Sequence, residues 1–224
     1  PAPYRAVARL NRLQGLPTLG KIFEIKQGVR LGNDVFLISR SELEALPLPE
    51  QRFFRPAVTN ATLRNSRVTN DWHVWFPDSR NLPTIASEDD LKREVPNYYQ
   101  RLLQERANLV QRSAVSPETW WKLQRSRGWQ HDQVPKLVTT YFGDAGSVAY
   151  DVEGTFAVVV GHAWIPRVSV TEHSVDVAFA YVAIAASEMF GELLLATSTQ
   201  IAGGQFSLEK RHIDKLPMVD LYRG

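Results

Sequence analysis

The sequence predicts a mixed α+β fold, and three observations carry that prediction. Between residues 136 and 164, apolar residues alternate with a period of two in short runs separated by glycine, the pattern of strands. Between 88 and 112 they recur at helical spacing behind the start Ser87-Glu88-Asp89-Asp90. Residues 177–199 form an Ala- and Leu-rich stretch that reads as one long C-terminal helix. At 224 residues the chain has ample core for one large domain or two small ones. It contains no internal repeat, low-complexity tract or flexible linker, so a single domain over 1–224 is the economical reading.

In chain order, a lead-in is followed by two apolar runs, Ile22-Phe23-Glu24-Ile25 and Val35-Phe36-Leu37-Ile38. They flank a segment holding Gly28, Gly32 and Asn33, residues that tolerate positive φ, and the expectation is a hairpin. A basic, turn-rich region follows, and 72–76 alternates like a strand. Ser87 is a good N-cap, and the acids behind it fall in the first turn, where the helix dipole favours them. Pro96 interrupts this helix. It resumes from Asn97 to about Arg112 with Tyr98, Leu102, Leu109 and Val110 on one face. Ser116-Pro117 restarts a short helix carrying Trp120 and Trp121. Strands are predicted at 137–141, 147–150, 156–160 and 163–164, joined at Gly143-Asp144, Gly154 and Gly161. The last helix stops before Ile201-Ala202-Gly203-Gly204. A polar helix or turn at 208–215 then leads to an extended Leu216-Pro217-Met218.

The composition, 44% hydrophobic and 22% charged, is that of an ordinary globular protein. No apolar run approaches the roughly 20 residues needed to span a bilayer, so no membrane partner is predicted. The start, Pro1-Ala2-Pro3-Tyr4, lacks both an initiator Met and the apolar core of a signal peptide, which suggests a processed or excised domain. With zero cysteines, disulfides, cysteine-ligated zinc and a thiol nucleophile are all excluded, which fits a cytoplasmic protein.

The net charge is only +2, so the distribution of charge matters more than its sum. Residues 52–68 contain Arg52, Arg55, Arg64 and Arg67 and no acid. Residues 99–136 hold seven Lys or Arg against three acids, interleaved with Trp120, Trp121 and Trp129. Basic segments with planar side chains suit a polyanion; the competing reading is the solvated face of ordinary helices. The tryptophans are expected to pack in the core rather than stack on bases.

Reaction machinery is hard to find. Walker loop, dinucleotide fingerprint and GxSxG elbow are all missing. His73, His131, His162, His173 and His212 are scattered without HExxH or HxH spacing, so no metal site is assigned. Pro77-Asp78, eleven residues and Asp90-Leu91-Lys92 satisfy the loose magnesium-nuclease pattern PD…(D/E)xK. However, Asp90 and Lys92 fall in the first turn of a predicted helix, where Asp90 already serves the N-terminus. An amino-methyltransferase would need an (N/D/S)PP(Y/F) loop and a glycine-bearing donor loop. Neither is present, so base flipping and methyl transfer could not occur on these residues alone.

Taken in order, several segments resemble the C-terminal specificity domain of TaqI-like adenine-specific DNA methyltransferases and fused type II restriction-modification enzymes. Gln27-Gly28-Val29-Arg30-Leu31-Gly32-Asn33 is similar to that family's G-(I/V)-x-T-G-x-N loop. Phe54-Arg55-Pro56-Ala57-Val58 is similar to its F-x-P-x-(L/V) element. Pro96-Asn97-Tyr98-Tyr99 through Leu102, Leu109 and Arg112 to Trp120-Trp121 matches P-x-x-Y-x-x-L…L-x-x-R…W, and Pro135-Lys136-Leu137-Val138 matches a (K/R)-P-K-(I/L) strand. The long helix and Gly203-Gly204-Gln205…Leu216-Pro217 resemble the closing pattern. Leu31 stands where a threonine is usual, Val134 where a basic residue is frequent, and Ala186 where asparagine is frequent. These departures touch loop contacts rather than the fold.

The resemblance implies a target recognition domain with a mixed, strongly curved β-sheet, reading double-stranded DNA opposite a separate catalytic methyltransferase domain. No cofactor is implied for this chain; S-adenosylmethionine and the flipped-adenine pocket would belong to the catalytic domain. Lys26, Gln27, Arg30 and Asn33 are then expected to form one DNA-facing loop, the alternative being a solvated tip. Arg64, Asn65 and Arg67 form a second group, and Arg125, Arg127, Gln130 and Lys136 a third, in which Lys136 could instead be structural because it opens a strand. Gln205, Lys210 and Arg211 are candidates for contacts to the DNA backbone or to the catalytic domain. Two further function classes stay open, a magnesium-dependent nuclease and a protein-interaction scaffold built on the long helix.

Overall fold

The structure, a computed structural model, describes residues 2–169 and 174–223. Its α+β architecture is built on two four-stranded sheets. In the first, Phe23–Gln27, His162–Pro166, Lys136–Thr139 and Val148–Asp151 lie side by side, all antiparallel. In the second the order is Ala157–Val158, Phe54–Val58, Trp72–Trp75 and Leu37–Ser39, with only the first pair parallel. The chain passes between the sheets at Gly161, where φ is +139° and a Cβ would lie 1.8 Å from the Thr139 carbonyl oxygen. Only glycine fits there. The β-structure is thus divided between these sheets and two short two-stranded ribbons rather than gathered into one strongly curved sheet.

The expected hairpin at 22–38 is not formed. Phe23–Gln27 pairs with His162–Pro166 in the first sheet, and Leu37–Ser39 pairs with Trp72–Trp75 in the second. The residues between them cross from sheet to sheet, and distant chain satisfies their amides. Gly28 donates to the Gly161 carbonyl at 3.0 Å, Val29 to Val158 at 2.9 Å and Arg30 to Arg125 at 3.0 Å. A local turn signal was outcompeted by long-range partners for the same backbone groups.

The helix at Glu88–Glu94 starts as expected: Ser87 and Asp90 form a reciprocal capping box. Val95 leaves helical geometry, and Pro96–Gln104 restarts with proline at its first position. The lead-in contains a helix, Ala2–Arg12, that the sequence did not declare. The single long C-terminal helix is corrected to two, Ser174–Ala185 and Glu188–Thr197, bent by 65°. Ser187 is the cause, because it is extended and its Oγ accepts from the Phe190 amide at 3.3 Å, making it the N-cap of the second helix. No single helix among the described residues is long and apolar enough to cross a membrane.

Two cores result. Phe36, Phe53, Trp75, Tyr98, Leu102, Trp120 and Trp121 fill the space between the second sheet and the helices that follow Ser87. Phe23, Trp164, Tyr181, Phe190, Leu194 and Ile213 pack the bent helix pair on the first sheet. Burying each of these side chains stabilises the fold by about 1.5–3 kcal/mol. A smaller cluster of Val58, Leu63, Val138, Ala149, Val158 and Ala163 joins the two sheets. Trp120 and Trp121 are fully buried, as packing residues should be.

Candidate nucleic-acid interface

The first and third groups of candidate residues meet, although about a hundred residues separate them. Arg30 and Arg125 exchange backbone hydrogen bonds of 3.0 and 3.1 Å in an antiparallel bridge. Directly opposed residues of such a pair project to the same side, so both guanidinium groups share one face, and both are exposed. Arg127 lies against the same loop. Its Nε donates to the Gly28 carbonyl at 3.2 Å and its Nη2 to Gln27 Oε1 at 2.5 Å. Gln27 in turn donates through Nε2 to the Tyr141 hydroxyl, while its carbonyl accepts from Trp129 Nε1 at 3.0 Å.

A chain of adjoining clefts runs through this junction. Gln27, Arg30, Arg125, Arg127 and Tyr141 line one of about 410 Å³. Across Arg30 lies a wider one of about 1230 Å³ that includes Asn33, Arg101 and Gln124, with Asp34, Glu42 and Glu105 as its acidic members. Across Gln27 and Tyr141 lies a cleft of about 350 Å³ holding His162, Lys210 and Arg211 beside Glu209. A separate cleft of about 310 Å³, lined by Thr140, Phe142, Arg64, Asn65 and Gln205, shares no lining residue with these three. Members of the first, third and fourth candidate groups therefore line one trough of three adjoining clefts, while Arg64, Asn65 and Gln205 line a separate one.

Arg64 and Arg67 are cross-strand partners in the ribbon Leu63–Arg64 and Arg67–Val68. Its two-residue turn has positive φ at Asn65 (50°) and Ser66 (58°), the geometry hairpin turns require. The Ser66 amide donates to the Gly146 carbonyl at 2.8 Å, which fixes the finger to the body. Like charges directly opposed across a ribbon are destabilising. Among the described residues no carboxylate pairs with Arg64, Arg67, Arg30 or Arg125.

Other candidates are committed internally. Lys136 is 2% exposed and forms a 2.5 Å ion pair with Asp151, with a further bond of 3.1 Å to the Gly154 carbonyl. Burial pushes its pKa down, against the pull of Asp151. Gln130, 1% exposed, donates to the Val158 carbonyl at 3.1 Å and accepts from the Val158 amide at 2.7 Å, acting as a strand partner in side-chain form. The assignment of both to DNA contact is corrected: neither reaches the surface. Asn33 caps the turn Asp34–Phe36 and donates to Glu105 at 3.3 Å. Lys26 pairs with Glu24 and lines none of these clefts, while Arg211 pairs with Glu209, so Asn33 and Arg211 stand at the trough with part of their capacity used.

Tyr141 and His162 were not singled out by the sequence. Their rings meet edge-on at 5.0 Å beneath Gln27. Burial lowers the His162 pKa to about 4, against an opposing pull from Glu209. The nuclease pattern has no matching geometry. The Asp90 carboxylate accepts from Arg93 at 2.7 Å and from Ser87, bonds that hold its pKa down to about 2, and Lys92 pairs with Asp89 at 3.3 Å. Among the described residues no three His, Asp or Glu side chains are grouped to hold a metal ion. His173 lies outside the described residues.

Comparison with known proteins gives one kind of match. No family model matches the chain, and no curated protein sequence does. Among solved structures, the type IIL restriction-modification enzyme MmeI in complex with DNA shares the fold with a TM-score of 0.61 at 12% identity. The similarity covers 88% of this chain and 25% of that one, so the chain corresponds to a quarter of the length of that enzyme. The fold is one that a restriction-modification enzyme also contains.

Proposed function

We propose that residues 1–224 form a target recognition domain for double-stranded DNA, serving a separate catalytic domain of an adenine-specific DNA methyltransferase or restriction-modification enzyme in the cytoplasm. One observation carries this reading: three separate stretches of chain deliver exposed cations and amides to one trough of adjoining clefts, a fourth brings Arg64 to a neighbouring rim, and several of those cations have no acidic partner among the described residues. Clustered unpaired charge costs stability unless a polyanion neutralises it. Duplex phosphates do so with release of counterions, while amides and bidentate arginines can read base edges. The fold shared with a restriction-modification enzyme whose structure is in complex with DNA supports the same reading. The family motifs point more finely to the TaqI-like specificity domain. S-adenosylmethionine would be held by the catalytic partner, and no residue of this chain is assigned to it.

Binding of the chain to duplexes should be tight at low salt and fall steeply as salt rises, with a log–log slope of about −0.9 per phosphate neutralised. A fluorescence-anisotropy titration from low to physiological salt measures this. Affinity that does not respond to salt would contradict a trough built for phosphates. Magnesium-dependent cleavage abolished by Asp78→Ala would instead establish the nuclease.

A further inference from the structure

Resting on that recognition reading, we infer that Arg127 is a specificity-determining residue that reads guanine, and that Gln27 and Tyr141 are the positioning residues that aim it. The guanidinium has two edges for paired donation. One is formed by Nε and Nη2, and both of those atoms are engaged, on the Gly28 carbonyl and on Gln27 Oε1. The other edge, between Nη1 and Nη2, has no partner among the described residues, and Arg127 is one of the residues lining the cleft that Arg30 and Arg125 share. A guanidinium clamped along one edge presents the other as a fixed fork. That fork matches the O6 and N7 acceptors of guanine in the major groove.

The clamp is itself supported. Gln27 cannot rotate away without losing Tyr141, because its amide nitrogen donates to that hydroxyl while its amide oxygen holds Arg127. Trp129 Nε1 donates to the Gln27 carbonyl at 3.0 Å and so fixes the Gln27 backbone. Arg127 also has φ +59° and ψ 92°, a conformation L-residues rarely adopt. Such backbone is kept where the surrounding structure over-determines it, which is typical of ligand contacts. Arg30 and Arg125 lack any comparable clamp, so the orientation of their side chains is not fixed in the same way.

The test is selection from a randomised duplex pool at low salt with the full chain, comparing wild type with Arg127→Ala, Arg127→Lys, Gln27→Ala and Tyr141→Phe. Wild type should enrich a motif containing a guanine. Arg127→Ala should lose preference at that position alone, by about tenfold to a hundredfold. Arg127→Lys should not restore it, since a single ammonium cannot form the fork, and it carries the same prediction should the alanine variant fail to fold. Gln27→Ala and Tyr141→Phe should blunt the preference at that same position and leave the rest of the motif intact, which a merely structural loss would not do. If Arg127→Ala weakens all sequences equally, Arg127 contacts phosphate and the inference is overturned. A guanine preference that survives Arg127→Ala overturns it too, and leaves the recognition reading standing. A wild-type chain that selects no motif overturns both.

Discussion

Two junctions in this molecule are built from the same residue types and behave in opposite ways. At the first, Gln27, Arg30, Arg125 and Arg127 meet at the rim of a cleft, and Arg30 and Arg125 are exposed without acidic partners among the described residues. At the second, Arg55, Gln130 and Lys136 meet with Asp151 in the interior. There Arg55 donates to the carbonyls of Thr155 at 3.0 Å, Gln130 at 2.5 Å and Gly154 at 3.0 Å. Asp151 is fully engaged, by Lys136 and by the amides of Thr155 and Phe156. Residue type does not separate the two; what separates them is burial, since Arg55, Gln130, Lys136 and Asp151 are buried and fully paired whereas Arg30 and Arg125 stand exposed. A buried charge must be paired and hydrogen-bonded, while an exposed, unpaired one is left available for a ligand.

This contrast can be broken by substitution. The largest effect is expected at the interior junction, where Lys136→Met strands the Asp151 carboxylate and should destabilise the fold by about 3–5 kcal/mol. A denaturant titration would register it, and adding Asp151→Leu should recover much of the loss. Next is acid sensitivity at the floor of the trough. The folded pKa of His162, about 4, lies below its unfolded value of 6.5. Between those values the unfolded chain binds a proton that the folded chain refuses. Stability is therefore present above pH 6.5 and falls toward pH 4, by at most about 3 kcal/mol. His73, also lowered by burial, adds a loss of the same sign. His162→Gln should flatten the pH dependence of thermal unfolding in this window, and an unchanged profile would remove His162 from the account.

Smaller effects sharpen the comparison. Ser187→Ala removes the cap at the helix bend and should cost about 1 kcal/mol, visible as a modest drop in Tm. Arg64→Ala, at the rim, should change stability by less than about 0.5 kcal/mol. It should nevertheless weaken duplex binding to all sequences and reduce the salt slope by about 1. If Arg64→Ala destabilised the fold as much as Lys136→Met does, the distinction between the two junctions would fail.

Much of the fold was legible where signals are local. Ser87 with Asp90 marked a helix start, Pro96 marked its interruption, and the period of two between 136 and 164 marked three of the four strands of the first sheet together with Ala157–Val158 of the second. What failed depends on distant chain. The partners of Phe23–Gln27 and Leu37–Ser39 belong to different sheets, which no pattern within 22–38 encodes. The bend at Ser187 was hidden because one capping serine is a faint signal inside an Ala- and Leu-rich run. For the site, the sequence brought forward the stretches that meet at the trough but could not sort them by burial. Gln130 and Gln27 are the same residue type, but Gln130 is buried against the Val158 backbone while Gln27 is exposed at the cleft. Tyr141 was invisible because its bond to Gln27 spans 114 positions.

The measurement that bears most directly on the trough is hydrogen–deuterium exchange of the chain with and without a bound duplex. Protection is predicted in the segments 27–33, 63–68, 124–129 and 205–211, with the interior around Lys136 and Asp151 unchanged. Protection confined to the helices after Ser87 or to the bent C-terminal pair, with the trough segments exchanging freely, would contradict the account.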